Sequence, residues 1–596
     1  MATTPVSQDL KRGGAFLVSD TSPDEIFTPA GLNDDQRLIG RTAEEFIVNE
    51  VVPRIPELEK HKEGLLRDLI KKSGEIGLLG AGIPEEYGGS ALDKVSAAVL
   101  SEKMGIYASF GVAFGAQTGI GTIPIVYFGT EAQKKKYLPR MATGELLACY
   151  ALSEPQAGSD ALASRTRAVL SPDGKSWILN GQKMWITSGS YSDVYTVFAK
   201  VDGEKFSAFI VERGTPGFSV GAEENKMGIR GSSTVPLFFE NAAIPKENLL
   251  YEIGRGHIVA FNTLNAGRFS LGGSCSGSCK QVIAIASKYS KERTAFGKQI
   301  AEFGLIKAKL GEMAIREYAL ESMIYRTAGM IEAAMSAPNG DKVKQAMQVL
   351  EEYAIESSIA KVMGSETLDY CVDEGVQIFG GYGFHEDYPV ARMYRDSRIN
   401  RIFEGTNEIN RLVIIQMLMK RATAGTLPLI PAALKLRDEL LAGPSFQESP
   451  GGAFGEEQRS VEQAKKIFLL ASGTALEKFR DKLANEQEIV ASLANIVMNI
   501  YAMESALRRA QKAAAARSQG AGAMSDATRA FIYDAMDEVE KDARTALAAT
   551  ETGDTLATLL AALRRLAKHA PLDVIALRRR MADAVLAQDR YPFEVR

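Results

Sequence analysis

Between Arg398 and Arg411 the chain reads R-I-N-R-I-F-E-G-T-N-E-I-N-R. Glu404 stands directly behind Ile402 and Phe403 and is followed at once by Gly405. Apolar neighbours strip water from a carboxylate and raise its pKa, which turns a spectator anion into a usable base. Gly405 allows a sharp turn of the backbone or the close approach of a ligand. Thr406, Asn407 and Glu408 then supply hydrogen-bonding groups ahead of an apolar-periodic run, Ile409 to Met417. Base, turn, polar cap and helix, in that order, suit proton abstraction at a helix start. Taken alone, the stretch also reads as an ordinary helix N-cap with acids favoured by the dipole, and only the rest of the chain separates the two readings.

Positioning such a group needs a scaffold, and 596 residues predict several domains, roughly three to five. The composition, 45% hydrophobic and 24% charged, is that of a globular protein. A net charge of −4 argues against nucleic acid, which would want a basic face. Four cysteines, one far from the others, exclude a disulfide framework and fit a reducing compartment. Cys275 and Cys279 share a helix face among Ser and Gly, which reads as close packing. His61, His257, His385 and His569 lie too far apart for a metal cluster, so no metal site is expected. With no signal peptide and no run of about 18 apolar residues to span a bilayer, the expectation is a soluble, cytoplasmic protein.

Residues 1–34 mix Pro, Gly, Ser and Asp without periodicity and read as a tail ordered by contact. Over 35–147 the apolar spacing is helical (Leu38, Phe46, Ile47, Val51, then Leu65, Leu69, Ile76), with punctuation at Pro84 to Gly89 and Gly119 to Pro124. Over 148–255 come short β-rich runs, 176–179, 183–186, 194–200 and 206–211. They are parted by Asp173-Gly174, Asn180-Gly181 and Asp202-Gly203, pairs that signal hairpin turns and predict a small antiparallel barrel or sandwich. Helical periodicity returns over 256–422, with runs at 256–290, 303–334 and 341–373. Helices, then strands, then helices is α+β segregation. Residues 423–455 connect onward, and the Pro/Gly/Ser-rich part from Ala442 reads as a linker. Residues 456–596 form an Ala-rich helical domain with Ile489, Leu493, Ile496, Val497, Ile500 and Leu507 on one face. An internal echo joins the last two helical domains: 308–326 and 491–509 match at seven of nineteen positions, among them Tyr318/Tyr501, Glu321/Glu504, Ser322/Ser505 and Arg326/Arg509. It reads either as chance agreement of two amphipathic helices or as a partial copy of one domain by the other.

Six ordered motifs make the reading specific: Y-A-L-S-E-P-Q-A-G-S-D at 150–160, N-G-Q-K-M-W-I-T-S-G at 180–189, K-M-G-I-R at 226–230, R-T-A-F-G-K at 293–298, Q-I-F-G-G-Y-G at 377–383 and F-E-G-T at 403–406. In order and spacing, over roughly residues 34 to 420, they resemble the acyl-CoA dehydrogenase family. The L-N-A-G-R-F run at 264–269 and the extra C-terminal domain are most similar to its very-long-chain branch. The resemblance implies FAD between the β domain and the second helical domain. No Gly-x-Gly-x-x-Gly follows a strand, so scattered contacts must hold it. Residue by residue, it implies that Ser153, Trp185 and Thr187 lie along the isoalloxazine ring, an indole offering stacking area and hydroxyls offering partners. Ser159 joins this cofactor set. Arg293, Phe296, Gln377 and Gly381 would reach the FAD of a neighbouring subunit, and Thr406 and Glu408 the adenosine side. Family members often carry Gln at the position of Glu408 and Thr at that of Ala295.

The implied chemistry is oxidation of an acyl-CoA to its trans-2-enoyl-CoA, the first step of fatty acid β-oxidation. Glu404 takes the α-proton while a hydride leaves the β-carbon. The thioester oxygen is held by the Glu404 backbone N–H and the FAD ribityl chain. Ser159, Asn265, Arg268 and Gly405 would stand near the bound acyl-CoA; Arg268 reads equally as a structural ion-pair residue. Some relatives carry the base at the position of Gly267, which leaves Glu404 without a rival here. Electron-transfer flavoprotein is the implied acceptor; an oxidase that uses oxygen and an assembly scaffold are the alternatives. If residues 456–596 cover the surface that tetrameric relatives bury between subunits, a homodimer results. The stretch Leu427 to Leu441 carries two basic and two acidic residues and predicts at most weak association with a membrane surface, the inner membrane in a bacterium. Gly115, Ala116, Gly119 and Gly121 would leave room for a long acyl tail.

Overall fold

The computed structural model describes residues 11–337, 342–442 and 451–595. The first helix, Asp34–Phe46, begins at a capping box in which the Asn33 side chain accepts the Gln36 N–H and the Gln36 side chain answers. Phe46, Ile47, Val51 and Leu69 are buried as their spacing predicts, but Leu38 is 54% and Ile76 47% exposed. Leu38 is two residues out of phase with the buried Gln36, Gly40 and Ala43. The helix Ala108–Gly115 passes into a wide π-helical stretch, Ala116–Gly121, before Ile123–Phe128. Such insertions recur at functional sites because they re-aim side chains without ending the helix.

Eight strands follow in one sheet: β1 Ala148–Ala151, β2 Arg167–Leu170, β3 Ser176–Thr187, β4 Val194–Val201, β5 Lys205–Glu212, β6 Phe218–Val220, β7 Thr234–Pro245 and β8 Leu249–Leu250. The order is β6-β7-β3-β2-β4-β5-β8, with β1 beside β4. Asp173-Gly174 and Asp202-Gly203 do turn hairpins, β2–β3 and β4–β5. Asn180-Gly181 does not: it lies inside β3, where the register against β7 shifts between Leu179 and Gly181. The extra residue of a bulge is taken up there, and Gly181 at φ +148° lets the strand continue. The sheet is mixed, because β1 and β2 both run parallel to β4. Turn dipeptides report local antiparallel pairing only; parallel neighbours join through long connections that leave no such mark.

The second helical region packs Gly256–Glu292, Gly304–Ser336 and Ala354–Phe379 together. The run expected over 341–373 is two helices, Lys342–Glu352 and Ala354–Phe379, parted at Tyr353. The linker expected from Ala442 falls for its greater part, 443–450, outside the described residues. Before it, Leu429–Leu441 is helical with only Leu436 buried, while Leu434 is 47% and Leu441 79% exposed. Two helical stretches, Ala108–Phe128 and Gln487–Ala515, have the length and apolarity to cross a bilayer, contrary to the expectation of none. Both are mostly buried inside the fold, where core helices meet the same criteria.

The internal echo proves to be an interface. Gln487–Ala515 packs on Gly304–Ser336 so that matched residues bind each other reciprocally. Arg326 pairs with Glu504 at 2.7 Å and Arg509 with Glu321 at 2.6 Å. Arg326 donates to Ser505 at 3.1 Å and Arg509 to Ser322 at 3.2 Å. Each guanidinium also lies 4.7 Å from the partner helix's tyrosine ring, Tyr501 or Tyr318. This is the self-complementary pattern of a two-fold contact, here within one chain. The N-terminal tail straps the seam: Gly13 and Gly14 N–H groups bind Glu352 and Glu356, and the Ser19 and Ile26 carbonyls accept from Lys465 and Lys512.

Removing one partner strands a buried charge, so Arg326→Met and Arg509→Met are each expected to cost about 3 kcal/mol. Urea unfolding checks this; an unchanged midpoint in either variant contradicts it.

Candidate active site

Glu404 sits between the 3-10 turn Arg398–Arg401 and the helix Asn407–Thr423, with φ +56°. A non-glycine residue in this left-handed region costs of order 1–3 kcal/mol and persists only where its surroundings enforce it. Three donors do so. Arg268 Nε donates to the Glu404 carbonyl at 3.2 Å. Lys361 Nζ donates to the Gly405 carbonyl at 2.7 Å and to Asn407 Oδ1 at 2.7 Å. Asn410 Nδ2 donates to the Gly405 and Thr406 carbonyls at 2.8 and 3.0 Å.

The residue is half-buried as a whole, but its carboxyl end is enclosed, and Oε2 is buried with no hydrogen-bond partner. Burial pushes its pKa up to about 7, against the opposing pull of Arg268 and Lys361. The carboxylate lies over Gly267, where an added Cβ would stand 3.0 Å from Oε2. Glu404 and the position of Gly267 therefore face one point. Glu404, Gly267 and Thr187 line a cavity of about 240 Å³ together with Gly115, Ala116 and Gly119. A Cβ at Gly115 or Gly119 would meet nothing within 4 Å, so both open onto space. Gly121 differs: a Cβ there would come 2.7 Å from the Ala116 carbonyl, so its lack of a side chain serves packing.

At the end of β3 a second register shift, between Lys183 and Ile186, leaves Trp185 at φ +62° and 57% exposed. A bulge re-aims the side chain, which turns the indole outward beside the half-buried Thr187. Half-buried Ser153 is tied to the same edge, its carbonyl accepting the Met184 N–H at 2.9 Å. A fully buried pair fixes this corner: Lys183 Nζ reaches Glu154 at 2.7 Å and the Leu152 carbonyl at 3.1 Å. Glu154 accepts in turn from the Arg165 and Thr166 N–H groups. The 226–230 motif docks the sheet onto the helix Pro389–Ser397, with Ile229 N–H donating to buried Asp396.

The other sequence-predicted residues divide. Asn265 and Arg268 bind each other at 2.9 Å and are buried beside Glu404. Thr406 caps the following helix by accepting the Ile409 N–H at 3.2 Å. Glu408 and Ser159 are exposed, and the backbone N–H at the helix start holds the Glu408 carboxyl below its usual value. Arg293, Phe296, Gln377 and Gly381 are exposed and do not line the cavity; Arg293 lies over the Tyr382 ring, and Phe296 is 94% exposed. Sequence reasoning missed Lys361, Asn410, Lys183 and Glu154. A lysine inside an apolar helical run, S-S-I-A-K-V-M at 357–363, was the available signal for Lys361.

Comparison with known proteins bears on the whole chain. The family models for the acyl-CoA dehydrogenase N-terminal, middle and C-terminal domains match residues 33–145, 149–242 and 254–419, and a further C-terminal domain model of that family matches 463–565. A probable acyl-CoA dehydrogenase of Bacillus subtilis (strain 168) is 48% identical over 588 residues, 98% of this chain and 99% of that one. The very long-chain specific acyl-CoA dehydrogenase of Bos taurus mitochondria is 37% identical, over 82% of this chain and 77% of its own. Among solved structures, an acyl-CoA dehydrogenase complexed with FAD from Bacillus anthracis superposes with a TM-score of 0.96, at 48% identity, over 98% of this chain and 100% of that one.

The Glu404 carboxyl also makes a stability prediction. Its folded value lies above the ordinary 4.5, so protonation favours the folded state; the contribution is complete below about pH 4.5 and lost as pH rises through about 7. Glu404→Gln, which imitates the protonated form, should gain on wild type by about 2 kcal/mol between pH 5 and pH 8. Urea midpoints of both proteins at the two pH values test this, and an equal gap at both would contradict it.

Proposed function

The chain belongs to the acyl-CoA dehydrogenase family of flavin-dependent oxidoreductases, and from that premise we propose that it converts long-chain acyl-CoA to trans-2-enoyl-CoA with FAD, passing electrons to an electron-transfer flavoprotein. The observation that carries the reading is the Glu404 carboxylate oxygen, buried and unpartnered on the wall of an apolar cavity. An orphaned buried acceptor is costly unless a ligand uses it.

The residues present fit FAD. The outward indole of Trp185 offers a stacking face, Ser153 and Thr187 stand on the same strand edge, and a Cβ at Gly380 or Gly381 would meet nothing within 4 Å. Bound there, FAD supplies the acceptor for the β-hydride. Ser159, Thr406 and Glu408 would add cofactor contacts, while Arg293, Phe296, Gln377 and Gly381 face outward, as residues serving a neighbouring subunit's FAD would. Glu404 removes the α-proton. A thioester α-proton is far too weak an acid for a bare carboxylate, so the developing oxyanion needs donors, each worth about 3 to 4 kcal/mol when well placed. The Glu404 backbone N–H has no hydrogen-bond acceptor among the described residues and is available for this. Arg268 and Asn265 act from behind, on the Glu404 carbonyl and on each other.

Glu404→Gln is expected to bind FAD and acyl-CoA yet lose about 10²–10⁴-fold in anaerobic bleaching by palmitoyl-CoA. Retention of more than a tenth of the wild-type rate contradicts the base assignment, and rapid recolouring in air with peroxide release would favour an oxidase.

Tail length follows from the open glycines. Each buried CH₂ adds about 0.8 kcal/mol until the cavity ends, so kcat/KM should climb with chain length and peak at C14–C18. Gly119→Phe and Ala116→Glu should move the optimum downward. A wild-type optimum at C4–C8 overturns the long-chain reading.

The reciprocal Arg326/Arg509 contact supports a homodimer: the C-terminal helices already cover, within one chain, an interface of two-fold type. Sedimentation at micromolar concentration should give a dimer of 64.5 kDa chains, and a stable tetramer contradicts it.

A further inference from the structure

Lys361 is a lysine with no exposed surface, set in the middle of the helix Ala354–Phe379. Long ammonium side chains are almost never buried unless they have a task and partners. Its partners are the Gly405 carbonyl and Asn407 Oδ1, each at 2.7 Å, on either side of Thr406. Asn407 is braced in turn: its amide donates to Ser365 and to Glu366, at 3.0 Å each, one and about one and a half helical turns beyond Lys361. No carboxylate pairs with Lys361 directly among the described residues; both its hydrogen bonds go to the turn that follows Glu404.

The geometry is that of a clamp. Glu404 at φ +56° and Gly405 at φ +79° make two successive left-handed residues, an arrangement an L-residue does not hold unaided. The carbonyl of the second is gripped by Lys361 and Asn410, that of the first by Arg268. We infer that Lys361 is a positioning residue for the base: through the Gly405 carbonyl and Asn407 it sets the turn that aims the Glu404 carboxylate into the cavity. The inference rests on the reading of Glu404 as the base and assigns Lys361 no contact with substrate.

Lys361 also adds a positive charge near that carboxylate. The titratable groups facing Glu404 are Arg268, Lys361 and Tyr150; those facing Lys361 are Cys275, Glu404, Arg268 and Glu366. Removing the ammonium leaves the base less stabilised as an anion, so the acid limb of the rate profile should move to higher pH. A lysine that merely fills space would not move it.

The test compares FAD-loaded wild type with Lys361→Met, which keeps the stem and removes the donors, and Lys361→Gln, which keeps an N–H donor without charge. A misaimed base should lower the rate of anaerobic reduction by palmitoyl-CoA about 100-fold in Lys361→Met, with KM within about threefold, and less in Lys361→Gln. Amide hydrogen exchange over residues 398–410 should rise in Lys361→Met while the β domain stays unchanged, a readout independent of turnover. Should the methionine variant not fold, Lys361→Gln alone is judged by its rate, its acid limb and its exchange over the same residues. A folded Lys361→Met or Lys361→Gln with wild-type rate, or a slowed one with neither a shifted acid limb nor faster exchange at 398–410, overturns the inference. Glu404→Gln run alongside separates the two claims: full reduction there sinks the base reading itself, whereas an inactive Glu404→Gln beside an unslowed Lys361→Met sinks only the positioning role.

Discussion

One carboxylate oxygen kept dry and unpaired is the constraint to which the rest of this structure answers. A protein ordinarily pairs a buried acid or leaves it in water. Glu404 Oε2 has neither remedy: it has no partner, and the nearby cations are spent on backbone carbonyls and asparagine amide oxygens. Burial therefore lifts its pKa to about 7, where a carboxylate is both basic and substantially ionised at neutral pH. Had Arg268 or Lys361 paired with the carboxylate itself, the group would be a stable anion and a poor base. Directing those charges at the turn supplies rigidity and only a mild electrostatic pull.

Elsewhere in the fold buried charges are paired directly. Lys183 and Glu154, both fully buried, hold the corner from which Ser153, Trp185 and Thr187 project. Arg326, Arg509 and their glutamates lock the C-terminal helix Gln487–Ala515 to Gly304–Ser336, which packs in turn against the helices that carry Lys361 and Arg268. Buried pairs of this kind add little net stability, since desolvation offsets attraction, but they permit one geometry and penalise neighbouring ones. Precision is what the proposed proton transfer requires, because a donor carbon and a base displaced by an ångström lose most of their rate. The cavity wall shows the complementary device, small residues at Gly115, Ala116, Gly119 and Gly267 leaving space where larger ones would fill it.

Much of this was legible in the chain itself. The α+β segregation and the C-terminal apolar face follow from periodicity, while the apolar neighbours and glycine around Glu404 singled it out only beside the other motifs of the chain. The hairpins at Asp173-Gly174 and Asp202-Gly203 were plain, because their turns, residues 171–175 and 202–204, are short and local. What escaped was non-local. Asn180-Gly181 has a turn's composition but sits in a strand whose partner is fixed some 60 residues away at Phe239 and Ala242. Parallel pairing of β1 with β4 leaves no local mark either. Lys361 and Lys183 read as surface residues by type; the apolar run around Lys361 hinted otherwise, and packing shows that both are interior. The echo between 308–326 and 491–509 was visible, but not that its matched residues would bind each other.

The most direct test of the central claim is the pH dependence of one step in the wild-type enzyme: the second-order rate of anaerobic flavin bleaching by subsaturating α-deuterated against protiated palmitoyl-CoA. If Glu404 is the base in a dry site, the isotope-sensitive rate should rise with pH along a single ionisation centred near 7 in the free enzyme, where burial places the carboxyl. An isotope-sensitive rate already at its plateau by pH 5.5, as an ordinary carboxylate with a value near 4.5 would give, would contradict the account.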